Sequence, residues 1–460
     1  MKALNRRDFL IKSSSAVAAA AIGSTPGISY SQMLGSTAAF TDYRALVCVF
    51  LHGGNDSFNM LVPNTTAEYN AYASSRQNLA ILQSDLLPIN PVSETPGSQA
   101  FGLHPSMGGI QSLFEAGNAS FVANLGPLVE PTSKLQYQNQ SVTLPSQLFS
   151  HNDQQSQWHS LKGASTSKTG WAGRISDLIE VEVAGQAMAT NASTNGTSLF
   201  QSAQSTIAYV MGQNGPLQFE GFSDDPTSIL FDQKMAFKNI IEAQYGSVYE
   251  RGFAAIQSRA VEAADTVSTA ITNAENSGII TTTFPNSPLG RQLSTVANLI
   301  ASRVELNMQR QIFLVGIGGF DSHDDQNANQ PGLLGGVSDA LTSFYDATVD
   351  IGVASSVTAF TQSDFGRTLT SNGDGTDHAW GGNQLVIGGA VNGRDIYGSF
   401  PVLEIGNIED VGGGRMIPST SIDQYAATLA KWFGIADADL DTVAPNLANF
   451  AQRDLGFMIA

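Results

Sequence analysis

Residues 311–325 read QIFLVGIGGFDSHDD, and their order decides the fold. The apolar run 311–315 ends at Gly316, Gly318 and Gly319 and then delivers Asp321, His323, Asp324 and Asp325. That order is strand, glycine turn, ligand cluster. In an open parallel sheet, ligands bind outside the carboxyl ends of the strands. Glycine lets the backbone turn sharply and approach a ligand or ion closely. Asp321 and His323 stand two apart, so an extended segment points both to one side. A carboxylate and an imidazole on one side suit a divalent metal. The same residues also read as a polar turn whose aspartates bond their own backbone.

Moving outward, the pattern repeats. Residues 45–51 (ALVCVFL) form a continuous apolar run, as in a strand covered on both faces. The run stops at His52-Gly53-Gly54-Asn55-Asp56-Ser57. Residues 120–124 and 356–360 read as further strands, the latter ending in Gln362-Ser363-Asp364-Phe365-Gly366-Arg367-Thr368. A glycine-rich loop with Asp377-His378 leads into another strand at 384–387. Between them lie helical faces: Leu293, Val296, Ile300 and Val304, then Leu334, Val337, Leu341, Phe344 and Tyr345. Thr65-x-x-Glu68 opens a short helix with a capping pattern, and a final helix over 422–433 stops at Gly434. Helices alternating with buried strands imply an α/β domain, a three-layer αβα stack around a mainly parallel sheet, over residues 40–460. Residues 165–290 are less regular, with long helices over 235–276, and read as an elaboration or lid over that sheet.

The chain has 460 residues, 42% hydrophobic and only 13% charged, so it can bury a large core and is not of a disordered class. Its net charge of −18 disfavours nucleic acid and anionic membrane as partners. One cysteine, Cys48, sits inside an apolar run and reads as a buried small hydrophobe. At the N-terminus, Arg6-Arg7-Asp8-Phe9-Leu10 precedes a short Ala/Ser-rich run. This resembles a twin-arginine export signal over residues 1–35, too short for a transmembrane span. It implies passage through the twin-arginine translocase to a periplasmic or secreted location.

Acid or imidazole groups thus follow several strands: Asp56, Asp321 with His323, Asp364, and Asp377-His378. Parallel topology gathers such ends on one sheet edge. Oxygen and nitrogen ligands without thiolate suit Zn, Mn, Mg or Ca, as one or two ions. For a hydrolase, Ser57 beside Asp56 and Ser150 at a helix start are the candidate nucleophiles; as an N-cap, Ser150 has a purely structural use. Arg367 could hold an anion bidentately or pair with a carboxylate. His104 and His151 are within reach of the site, His52 reads as a turn histidine, and His159 falls too far along its helix to assign.

The stretches LVCVFLHGGNDSFNMLVP (46–63), FGLHPSM (101–107), SHNDQQSQW (150–158), TGWAGR (169–174), GGFDSHDDQ (318–326), SDFGRT (363–368), GTDHAWGG (375–382) and IDQYAATLAKWFG (422–434) resemble the DUF1501 family of secreted bacterial proteins. That resemblance implies an alkaline phosphatase–sulfatase type of fold. It implies metal at Asp56, Asp321, His323, Asp364 and His378, with Ser150 as nucleophile. Two departures stand out: one residue separates Asp321 from His323 where the superfamily has three, and Phe365 stands where a His usually follows the later Asp. The Cys-x-Pro-x-Arg signature is missing, which excludes a formylglycine sulfatase. The expectation is a metal-dependent hydrolase of phosphate or sulfate esters on a small-molecule or polysaccharide substrate. The alternative is a non-catalytic member that binds a surface glycan or protein.

Overall fold

A computed structural model describes residues 40–93, 100–216, 223 and 225–459. The export-signal reading of residues 1–35 lies outside these. Strand β1 (Arg44–Leu51) is apolar at nearly every position and buried from Ala45 onward. Strands β2 (Leu61–Pro63), β3 (Leu87–Ile89) and β4 (Phe101–Leu103) form a small antiparallel sheet of their own. The chain then adds β5 (Ala119–Gly126), β6 (Asn191–Ser193), β7 (Tyr209–Val210), β8 (Arg310–Ile317) and β9 (Val357–Ser363). After these come β10 (Arg367–Ser371), β11 (Thr376–His378), β12 (Gly382–Gly388), β13 (Ile396–Tyr397) and β14 (Thr420–Ser421).

Among the described residues the largest sheet has nine strands, in the order β13-β5-β12-β9-β1-β8-β6-β7, with β14 also on β5. Pairing is mostly parallel, as expected. The exception is β12, antiparallel to both β5 and β9. Only the β10–β11 hairpin separates β9 from β12, with no crossover helix of the kind that usually carries a chain back for a parallel return. Register places Leu51 of β1 beside both Ile317 of β8 and Ser363 of β9. The loops that leave these three strands therefore emerge together.

Helices cover the sheet as the apolar stripes require. Leu293, Val296 and Ile300 are buried on the Pro288–Ala301 helix, but that helix ends before Val304, which is exposed. The Ile422–Phe433 helix starts at a Ser421–Gln424 capping box and ends at Gly434 in the left-handed region. It buries Tyr425, Leu429 and Trp432. Part of the irregular 165–290 stretch belongs to the central sheet through β6 and β7. The described residues from 225 to 267 instead fall in a separate compact unit, with the Ile229–Ile241 helix and most of the Val248–Ser277 helix. No helix among the described residues is long and apolar enough to cross a membrane.

Candidate metal centre

The loops after β1, β8 and β9 meet because their backbones are allowed to touch. Gly53 lies at φ +115°, and a Cβ there would come within 2.4 Å of the Asp321 backbone nitrogen. Only glycine satisfies both the conformation and the approach. The β10–β11 hairpin adds a fourth piece, with Arg367 opposite His378 in its register. The fifth is the start of the His151–Ser160 helix, preceded by Phe149 at φ 72°.

Four side chains converge where these pieces meet. Asp321 Oδ1 lies 3.1 Å from His323 Nε2 and 3.5 Å from His378 Nε2, while its Oδ2 lies 3.5 Å from His151 Nε2. His323 Nε2 and His378 Nε2 stand 2.9 Å apart. His151, Asp321 and His378 offer ligand atoms that all lie within 4.8 Å of one another. The cluster opens to solvent on one side: Asp321 is 47% exposed and His151 30%.

The opposite ring nitrogens are held from behind. His378 Nδ1 donates to the Phe149 carbonyl at 2.8 Å, and His151 Nδ1 donates to Asp364 Oδ2 at 2.6 Å. His323 Nδ1 lies 3.4 Å from Asp377 Oδ1. A carbonyl or carboxylate can only accept, so each anchored ring keeps its proton on Nδ1 and turns a lone pair on Nε2 into the cluster. His323 Nε2 and His378 Nε2 are within hydrogen-bond range, so either His323 donates to the His378 lone pair or a cation takes the place of that proton. Burial pushes the His378 imidazole below its usual value, and nearby positive charge adds to this, which disfavours the proton. Burial alone would raise the Asp321 carboxyl, but the hydrogen bond and charge of Arg367, joined by His323 and His151, hold it below its ordinary range. Phe365 is buried, with its ring 4.8 Å from that of His151 and 4.6 Å from that of His378, and forms an apolar floor under both.

The donor types, imidazoles with one carboxylate, are those found in zinc-type sites. Imidazole nitrogens suit Zn, Fe, Ni or Cu, whereas Mg and Ca prefer oxygen alone. Ligands about 2.0–2.1 Å from zinc in a tetrahedron lie ~3.3 Å from one another. The three imidazole–carboxylate separations, 3.1 to 3.5 Å, lie near that figure, while the ligand atoms of His151, Asp321 and His378 are spread over up to 4.8 Å.

The remaining expected site residues are placed differently. Asp56 is buried and pairs with Arg76, with Gln326 donating to the same oxygen, so it is not among the converging groups. Asp364 is also buried and accepts from His151 Nδ1, from Gln155 Nε2 at 2.8 Å and from the Gly53 N–H at 3.1 Å. It orients an imidazole and does not face the cluster. Arg367 is fully buried and gives its donors to Asp321, Gly53 O, Thr376 O and Thr376 Oγ1. Those bonds use four of its five N–H groups, and the fifth is buried with the side chain. Ser57 Oγ accepts from the Asn383 N–H at 2.7 Å inside the core. Ser150 precedes His151 and donates to Asp153 Oδ2 at 2.6 Å. His104 is buried apart from the cluster and accepts from the Ser106 N–H. His52 pairs with Asn195. The sequence pointed to His151 only as a group within reach. The signal for its larger role was its place at a helix start in SHNDQQ, with Gln155 one turn on.

A family model described as "Protein of unknown function (DUF1501)" matches residues 43–440. The chain belongs to the DUF1501 family. The match spans every segment of the cluster, from the turn after β1 to the β10–β11 hairpin. A comparison with curated proteins finds no match for this DUF1501 chain.

Proposed function

We propose that this DUF1501 protein is an exported, metal-dependent hydrolase of phosphate or sulfate esters, working with one transition-type ion. The observation that carries this reading is the convergence of His151, Asp321 and His378, whose ligand atoms all lie within 4.8 Å of one another. His151, Asp321, His323 and His378 would hold the ion, which when bound polarises the ester oxygen and acidifies a coordinated water. Asp364 and the Phe149 carbonyl keep two imidazoles in the tautomer that binding needs. Arg367 acts through Asp321, fixing its carboxylate. Ser150 is the nucleophile this reading favours, because Asp153 Oδ2 is placed to take its proton. Export rests on the twin-arginine pattern at Arg6-Arg7.

A second reading is a non-catalytic member that binds a surface glycan or a protein. The burial of Arg367, with four of its donors given to the protein, favours it, since the guanidinium is turned away from an incoming anion. Elemental analysis of protein purified without chelator, with assays on p-nitrophenyl phosphate and sulfate, separates the two. His378→Ala should lose both metal and turnover. Ser150→Ala should keep metal and lose roughly a hundredfold or more in rate, the scale of losing a nucleophile. Normal hydrolysis by both variants would overturn the assignment.

A further inference from the structure

One stripe of the His151–Ser160 helix carries Asn152, Gln155, Ser156 and His159, the i, i+3, i+4, i+7 spacing of a single face. Such a face normally packs on a core. Here it is polar and borders a cavity of about 340 Å³. Across the cavity stand Asn195, Thr197 and Ser198 from the loop after β6, and Phe50, Leu199 and Leu314 supply its apolar surface. That size falls within the range of small-molecule pockets. The room is built in: a Cβ on Gly316 of β8 would come within 2.4 Å of Asn195 Nδ2 and 2.9 Å of His52 Nε2.

The lining is neutral. Among the described residues that border the cavity there is no Asp, Glu, Lys or Arg, in a chain carrying 40 acidic and 22 basic residues. Its polar groups are also available. The side chains of Asn152, Ser156 and Thr197 make no hydrogen bond within the described protein. Gln155 commits only its Nε2, to Asp364, and Asn195 commits its Nδ2 to His52, so both amide oxygens remain. His159 is buried with no partner for Nε2, and burial drives its pKa down to about 3, so it too is uncharged. An anion would meet no cation here, and a cation no carboxylate. Hydroxyls that donate and accept would find both kinds of partner, and C–H faces would find Phe50 and the leucines.

We propose that this cavity is a binding site for an uncharged sugar unit. Its wall is shared with the imidazole cluster, because Gln155 Nε2 and His151 Nδ1 both donate to Asp364 Oδ2. A sugar seated there would present a neighbouring esterified position to that cluster; this extension rests on the metal-dependent reading, whereas binding itself does not.

The test is saturation-transfer NMR and calorimetry on the full chain with cellobiose, maltose and N-acetylglucosamine, and with glucuronate and glucosamine as charged counterparts. At least one neutral sugar should bind, and the charged ones should bind about tenfold more weakly or worse, the cost of an unpaired charge. Ser156→Phe, which fills the cavity, should weaken binding by about tenfold or more at unchanged melting temperature. Asn152→Ala, at an exposed position, should cost about threefold to tenfold, as for one lost hydrogen bond. Chelation with EDTA should leave sugar binding within about threefold while abolishing any ester turnover, so the two readings fail separately. Silence from all three neutral sugars, equal binding of the charged ones, or indifference to both substitutions would overturn the proposal.

Discussion

Asp364→Asn probes the support of the centre without touching a converging group. The carboxylate is fully buried and accepts three hydrogen bonds, from His151 and Gln155 on Oδ2 and from Gly53 on Oδ1. An amide of the same shape has one oxygen for two sets of donors. If its NH2 turns toward His151, that ring must move its proton to Nε2, and the lone pair facing Asp321 disappears. If the NH2 turns toward Gly53 instead, a buried backbone N–H loses its partner at a cost of about 1–3 kcal/mol. Loss of a carboxylate behind a ligating histidine typically costs about 10–100-fold in metal affinity, or ~1.4–2.7 kcal/mol. The assay is competition of the purified variant against a chromophoric chelator, with calorimetric melting in parallel. For a chain this long, melting should fall by only about 1 °C per kcal/mol lost. Affinity within twofold of the parent, in a folded variant, would refute the role given to Asp364.

Other perturbations reach other parts of the design. Arg76→Leu leaves Asp56 buried without its cation and should destabilise by about 3–5 kcal/mol in chemical denaturation, with a smaller loss when Asp56→Leu is added. Gly53→Ala combines a left-handed φ with a clash against Asp321 and should cost about 2 kcal/mol or more together with metal binding, checked by melting and elemental analysis. Burial raises Asp423 to about 7, against hydrogen bonds from Asn446 and Ser421 that lower it. A carboxyl raised in the folded state binds its proton more tightly than in the unfolded chain, so its contribution is complete at low pH and is lost as pH climbs toward 7. Asp423→Asn removes that slope, so the variant should gain on the parent between pH 5 and pH 8 in denaturant titrations.

The strand ends were legible because each buried apolar run stops at a glycine turn bearing polar groups. Parallel pairing of β1 with β8 and β9 then brings those turns together. What each polar group does there was not legible, because it depends on partners far away in the chain. Asp56 looks the same in sequence whether it meets an ion or a guanidinium, and Arg76 is hidden in the last turn of a helix as an ordinary basic residue. Phe365 read as a missing imidazole. In the fold its ring supports His151, which brings an imidazole in from a helix more than two hundred residues earlier. Arg367 read as an anion ligand or as half of an ion pair with a carboxylate; sequence gives no sign of burial, and burial turned its donors inward, onto Asp321 and backbone carbonyls. The antiparallel β12 could not be read from its apolar pattern, which is the same in either direction.

The borders of the large sheet bear on how the chain avoids sticking to itself. Its strands β1, β5, β8, β9 and β12 are seven or eight residues long and buried almost throughout, and long strands of that kind template intermolecular pairing when an edge is left open. At one margin two-residue pieces, Ile396–Tyr397 and Thr420–Ser421, lie end to end along β5; at the other, the described sheet stops at the two-residue β7. An incoming strand therefore meets only fragments of a ladder, too short to hold a register. Trimming the 396–397 or 420–421 segments should thus surface first as aggregation during refolding, before any change at the imidazole cluster.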